Sequence, residues 1–460
     1  MAVIASACTL GERALEPAAC ATPTISRSTV TSDAPNVLSA LVTADVTLAD
    51  SVIVRFGVDG NMDGATPSAT VDGEAVRAPV LGLHASTSYG AQLVAYNSCG
   101  ATTGPIVPFT TAALPSDLPT YTASTVTGTS PSPGYTVFAA GAYGLAIDDT
   151  GRVVWYYRFP NGPGLNFQAQ PNGRYAARPP SSGGDVAAWV ELAPDGAITR
   201  TFGCASGLQP RMHDLIAEPD GSYWTLCDDV RTVDLSAQGK SKDARVLGTS
   251  VQHRSVTGDV LFDWSAFDHL EIELRVLDPV DRDAAVVNWT HGNALDLDSD
   301  GNLLVSFRNL SEVTKIDTRI GGVMWRLGGA HNAFAFENVD GSPFVHQHGV
   351  RAVGAGQLLL LDNLGEPQGS RAERYEIDAV RRVVRLRESY GSAAGFVAQV
   401  GGSTQALPNG HTLVSFGSAG GVEEYDAAGT VVWRLAGNPG YVFRAQRVRS
   451  LYHPGVGDPR

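Results

Sequence analysis

Apolar residues along this 460-residue chain come in short runs, and the runs recur in one arrangement. An apolar strand ends in Asp-x-x-Gly-x-Val, and a polar lead-in then reaches a Gly and another apolar strand. The first part appears as LAIDDTGRVVW, VELAPDGAITRTF, HRSVTGDVLFDW, VTKIDTRIGGVMW, YEIDAVRRVVRL and VEEYDAAGTVVWRL. The second appears as NFQAQPNGRYAAR, HDLIAEPDGSYWTL, NALDLDSDGNLLVSF, HGVRAVGAGQLLLL and GSTQALPNGHTLVSF. Six copies of the first part and five of the second predict a radial all-β repeat, a six-bladed β-propeller. The repeat Asp and Gly make hairpin turns and carry no chemistry. Trp155, Trp325 and Trp433 follow those turns in apolar strands and suit packing between blades.

The pattern divides the chain. Residues 1–20 read as a truncated leader, 21–114 as a small β-sandwich, 115–134 as a linker rich in Pro, Ser, Thr and Gly, and 135–460 as the propeller. Closure is expected between YTVFAAGAYG and the C-terminal segment, which removes the sheet edges. Within the sandwich, VLGLHASTSYGAQLVAYN resembles the fibronectin type III (immunoglobulin-like) pattern, with Tyr89 at the sandwich corner.

Register then singles out a few polar residues. Eight positions before the Gly of the second part stand His213, Asn293, His348 and Gly402, the last followed by Ser403 and Thr404. In the first blade the place is Leu165, beside Asn166 and Phe167. Equal register in equal repeats means equal placement around one axis, so these residues should converge at one channel mouth. Period two adds His291 and His346 on the same strand faces. Arg308, at the end of VSFRN, joins them if a loop folds back over the mouth. Phe167, Phe344 and Trp289 lie near these lead-ins as candidates for stacking on an aromatic ring or for burial. His253, His269, His331, His411 and His453 fall outside the register and read as structural.

Charge and cysteines narrow the setting. A net charge of -14 disfavours nucleic acid and anionic membranes as partners. No run approaches a membrane span. MAVIASAC, ending at Cys8, resembles a lipoprotein attachment box but lacks a positive leader. A lipid anchor at Cys8 is therefore one expectation and chance the other. Cys20 with Cys99, and Cys204 with Cys227, suit two disulfides of an exported protein, the alternative being four buried thiols.

The matched positions hold no Asp or Glu, which disfavours paired-carboxylate hydrolysis and a hard-cation site. No Gly-x-Ser-x-Gly elbow appears. Three imidazoles suit a transition metal, or else a nucleophilic imidazole among oxyanion donors. Arg308 favours the second, because guanidinium binds sulfuryl or phosphoryl oxygens and gains a metal site little. No metal and no cofactor are expected. A metal-dependent propeller lyase or hydrolase and a non-catalytic cell-surface binding module remain as alternatives.

THGNALDLDSDGNLLVSFRN, FVHQHGVR, the MHD at His213 and the tail FRAQRVRSLY together resemble the bacterial arylsulfate sulfotransferase family. The likeness spans most of the propeller. It implies an exported six-bladed propeller that moves a sulfuryl group from an aryl sulfate to a phenol without the adenylyl sulfate cofactor. It implies a ping-pong reaction through a sulfo-histidine on His348. His291 and Asn293 match the family's His-x-Asn pair, Arg308 its downstream Arg and His213 its His-Asp string. His291 is the expected acid and base; His213, Asn293 and Arg308 are expected to hold the sulfuryl oxygens. Ser403, Thr404, His346, Phe167 and Phe344 are the expected substrate-binding residues. Ser403 stands where the family can carry Lys, which removes a positive charge. The resemblance also implies a homodimer.

Overall fold

The computed structural model describes residues 20–32, 35–126, 128–180, 188–339, 343–365, 369–436 and 440–460. Cys8 and the rest of the expected leader before Cys20 lie outside the described residues. Two compact units emerge. The first gathers Leu41–Val80 and Thr87–Thr110 with the strand Thr24–Thr31. One of its sheets joins Thr24–Thr31, Ser39–Thr47 and Ala75–Leu81. The other is built on Ser51–Gly57, Ser88–Asn97 and Gly100–Thr110. Alternation decides the faces: Val42, Ala44 and Val46 are buried, as are Val52 and Val54, while the residues between them are less so. Tyr89 stacks on Phe109 with ring centroids 5.5 Å apart. Cys20 and Cys99 form a disulfide.

The second unit runs from Thr111 to Arg460, with two short earlier segments. Among its described residues it holds six sheets of four or five strands. The second sheet begins at Asn166–Ala169, the third at Gln209–Ala217, the fourth at Gly292–Leu297, the fifth at His348–Gly354 and the sixth at Ser403–Ala406. The first is made from both ends of the unit, because Tyr135–Ala140 pairs with Ala445–Val448. Each sheet packs on the next through a layer of large side chains. Trp155 meets Phe167 and Tyr175; Trp189 and Phe202 meet Tyr223; Trp264 meets Phe307. Trp325 shares a cluster with Tyr375, Tyr390 with Tyr425, and Trp433 with Phe138 of the first sheet. The last layer closes the ring, and the fold is a β-propeller. At three of the repeat turns the buried indole N–H finds a backbone carbonyl. Trp155, Trp264 and Trp433 donate to the carbonyls of Pro194, Gly321 and Asp149 at 2.8, 3.1 and 2.8 Å.

Part of the expected linker is strand. Thr122–Thr125 pairs antiparallel with Val431–Ala436 and extends the sixth sheet. Its Thr, Ala and Ser residues suit a half-exposed edge. Between the third-sheet strands Val260–Ser265 and Val287–Asn288 an insertion forms three short helical turns, Ala266–His269, Leu274–Val276 and Pro279–Arg282. Cys204 and Cys227 form the second disulfide. Among the described residues no helix is long and apolar enough to cross a membrane.

Candidate active site

The innermost strands of the third, fourth and fifth sheets share a defect in register. Pro210 pairs with Cys227 and Leu215 with Thr225, so residues 211–214 bulge out. Gly292 pairs with Phe307 and Ala294 with Ser306, which leaves Asn293 extra. His348 pairs with Leu361 and Arg351 with Leu359, a third break that includes Gly349 at φ +64°. A bulge turns a side chain off the regular face. These three stand at the same point of the repeat, so they aim His213, Asn293 and His348 toward one another's strands. The His213 and His291 rings lie edge to face at 5.0 Å. Phe443 bridges His213 and His348, with centroids at 5.5 and 6.3 Å.

Neighbours settle which nitrogen of each ring carries hydrogen. Asn288 donates its amide to the Asp281 carboxylate at 2.8 Å and to His291 Nδ1 at 2.9 Å. A carboxylate only accepts, so the amide orientation is fixed and His291 Nδ1 is an acceptor. Arg211 Nε, a donor only, faces His213 Nδ1 at 3.4 Å. Neutral His213 and His291 therefore hold their hydrogen on Nε2. His348 is the reverse. Its Nδ1 lies 2.8 Å from Asn363 Oδ1 and 3.0 Å from the His346 carbonyl, both acceptors. Its Nε2 accepts the Gly401 N–H at 3.2 Å. His348 thus presents a lone pair at Nε2, beside two rings whose Nε2–H groups donate.

Cations surround the rings. Burial first, then the Arg211 charge, hold His213 and His291 well below the usual histidine range. Burial pushes His348 down to about 4; the Arg308 charge adds to this, and the hydrogen bond to Asn363 opposes it. All three imidazoles are neutral at neutral pH. Arg308 opens a short 3-10 turn whose backbone N–H returns to the His291 carbonyl at 3.1 Å. Its Nε is buried without a partner, and Asp281 stands 3.7 Å from its terminal nitrogen. Below the rings, Asp214 is buried between Arg444 at 2.9 Å and Arg351 at 3.1 Å.

The remaining expected residues divide. His346 lies in the left-handed region at φ +55°; its Nε2 is 3.4 Å from Asp278, and its Nδ1 is buried with no partner. Asn293 gives its amide to the Gln347 carbonyl at 2.7 Å, so it braces the peptide before His348, and its Oδ1 is left without a partner. Ser403 exchanges hydrogen bonds with the Ala445 backbone at 3.1 and 3.3 Å, which commits its hydroxyl to joining strands. Thr404 Oγ1 is buried with no partner. Phe167 and Phe344 do not reach the rings. Strand alternation turns Phe167 into the layer between sheets, between Trp155 and Tyr175, and Phe344, in the loop before His348–Gly354, packs into the next layer against Tyr375 at 5.8 Å. Trp289 likewise packs in the core against Phe267. Outside the register, His253 and His269 lie flat on Trp224 and Trp264, and His411 pairs with buried Glu424 at 2.7 Å.

Sequence reasoning missed Arg211, Asn288, Asn363, Gly401 and Phe443. Period two, applied to His213 as it was to His348, would have found Arg211. Phe443 and Arg444 open the tail FRAQRVRSLY. Asp278 and Asp281 come from the insertion, where no repeat register applies. Among the described residues no three His, Cys, Asp or Glu side chains group as a metal site. The groups beside the imidazoles are guanidiniums, which repel a cation.

A propeller with buried neutral imidazoles and guanidiniums at one end of its strands is the class that fold and site define. The family model for arylsulfotransferase (ASST) matches residues 209–438, and the chain belongs to that family. The match contains His213, His291, Arg308, His348 and Asn363. No curated protein matches the chain. Among solved structures it is similar to a protein of unknown function from Bacteroides caccae, at 14% identity and TM-score 0.46, over 69% of this chain and 100% of that one. It is also similar to virginiamycin B lyase from Staphylococcus aureus, at 11% identity and TM-score 0.35, over 86% of this chain and 99% of that one.

Proposed function

We propose that this chain is an exported six-bladed propeller that transfers a sulfuryl group from an aryl sulfate to a phenol through a sulfo-histidine on His348. The observation that carries the reading is the pattern of hydrogens on the rings. A nucleophile needs a lone pair, and His348 carries one at Nε2, held by the Gly401 N–H until substrate sulfur takes its place; His213 and His291 point N–H donors from the same cluster. Attack forms the Nε2–sulfur bond as the sulfur–oxygen bond breaks and aryl oxide leaves. Arg308, His213 and His291 donate to the oxygens that gain charge. The acceptor phenol then gives its proton to His346 Nδ1, its oxygen bonds to sulfur, and the pair returns to Nε2. His346 hands the proton to the departed aryl oxide or to water. His291 Nδ1 is occupied by Asn288, so His346 suits the base role better than His291. Two disulfides fit export.

The test is intact-protein mass measurement after 4-nitrophenyl sulfate alone. The expected result is a gain of one sulfuryl group, located on His348, that disappears when phenol is added. His348→Ala should lose both adduct and turnover. Turnover by that variant, or an adduct elsewhere, overturns the proposal.

A further inference from the structure

We infer that Asn363 is the positioning residue that decides which nitrogen of His348 attacks, an inference that rests on the sulfo-histidine reading above. Asn363 follows the strand Gln357–Asp362 of the fifth sheet and is fully buried. Its amide nitrogen donates to the carbonyls of Ala398 and Gly401, each at 2.9 Å. Both partners only accept, so the amide cannot turn over. Its Oδ1 must face His348 Nδ1, and the hydrogen of the neutral ring must sit there.

The same amide reaches the other side of the ring. Gly401, held through its carbonyl by Asn363, places its own N–H on His348 Nε2. One side chain thus grips both ring nitrogens, one directly and one through a single peptide. Gly401 takes φ +71°, and a Cβ there would come within 2.5 Å of the Tyr441 hydroxyl oxygen, so only glycine suits the place. Asn363 is itself anchored. Ser370 donates to its carbonyl at 2.9 Å and accepts the Ala398 N–H at 2.7 Å.

The chemistry needs this fixing. When Nε2 bonds to sulfur it gives up the Gly401 N–H, the ring becomes an N-sulfo imidazolium, and its remaining hydrogen stays on Nδ1, shared by Asn363 Oδ1 and the His346 carbonyl. When the phenol oxygen takes the sulfur, the pair returns to Nε2 and no ring proton moves. A ring with its hydrogen on Nε2 has no pair to offer and must lose a proton first. Misassigned imidazole hydrogens are costly in triad chemistry, where the wrong tautomer costs about 10⁴ in rate. Here the His346 carbonyl still favours Nδ1–H, so a smaller loss is expected.

The test compares Asn363→Leu with Asn363→Asp. The leucine removes acceptor and donors; the aspartate keeps an acceptor for Nδ1. Asn363→Leu should lower kcat at least ~30-fold with the donor KM nearly unchanged, and Asn363→Asp should recover part of the loss. The charged and titratable groups acting on His348 are Arg308, His346, His213 and His291. With those unchanged, the acid limb of kcat/KM should move to lower pH in the leucine variant and to higher pH in the aspartate variant. A merely structural asparagine predicts no such opposite movement. In the unaltered protein, nitrogen-15 spectra of labelled histidine should show His348 with hydrogen on Nδ1, and the trapped adduct should lie on Nε2. Hydrogen on Nε2, an adduct on Nδ1, or an unchanged kcat in Asn363→Leu overturns the inference, and the unaltered-protein measurements stand even if a variant does not fold. Absence of any adduct would instead strike the sulfo-histidine reading itself.

Discussion

The third, fourth and fifth sheets differ from the second and sixth in one respect that matters for chemistry. The inner strands Asn166–Ala169 and Ser403–Ala406 pair without interruption. Two polar side chains at their starts are spent on neighbouring strands: Asn166 donates to the His213 carbonyl at 2.7 Å, and Ser403 bonds the Ala445 backbone. The inner strands of the third, fourth and fifth sheets each break register at the matching point. Irregular pairing frees a side chain from the layer between sheets and swings it toward the axis. Regular sheets hold the ring together, and bulged sheets carry the reactive groups.

That contrast can be broken from either side. His213→Ala and His291→Ala, on the bulged side, should each lower kcat/KM by ~10²–10³ while the fold survives, as loss of one oxyanion donor does. Phe167→Ala, on a regular strand, should leave kcat/KM within a few fold and cost about 3–5 kcal/mol of stability, read by chemical denaturation. Equal kinetic damage from Phe167→Ala would erase the distinction.

The next effect is on pH. His348 is held neutral down to about 4 in the folded chain, against about 6.5 when unfolded. Below pH 6.5 the unfolded chain binds the extra proton, so stability present above 6.5 is lost as pH falls toward 4, by on the order of 3 kcal/mol from this ring. The acid limb of kcat/KM should fall over the lower end of the same range, as the Nε2 pair is protonated. Denaturation midpoints flat from pH 7 to 4.5 would contradict it. The smallest effect tests the regular side alone. Ser403→Ala should cost ~1 kcal/mol and change turnover less than twofold, because its hydroxyl joins strands. A large kinetic loss there would return Ser403 to the site.

The repeat was legible because turns and alternating strands are local patterns, readable residue by residue. Register placed His213, Asn293 and His348 at equivalent points, and period two added His291, since rotation about one axis converts equal sequence position into nearness. The same rule misplaced Phe167, because it fixes height along a strand and not the face a side chain takes, and Phe344, which lies in a loop before its strand. It passed over Asn363 and Gly401, whose places come from the ends of other strands and loops. Hydrophobic periodicity thus specified the run of blades and the closing pair, but not the edge strand Thr122–Thr125 that extends the sixth sheet. Which nitrogen of His348 holds a hydrogen was decided only in three dimensions, because it depends on an amide whose two carbonyl partners, Ala398 and Gly401, lie 35 and 38 residues away in the chain.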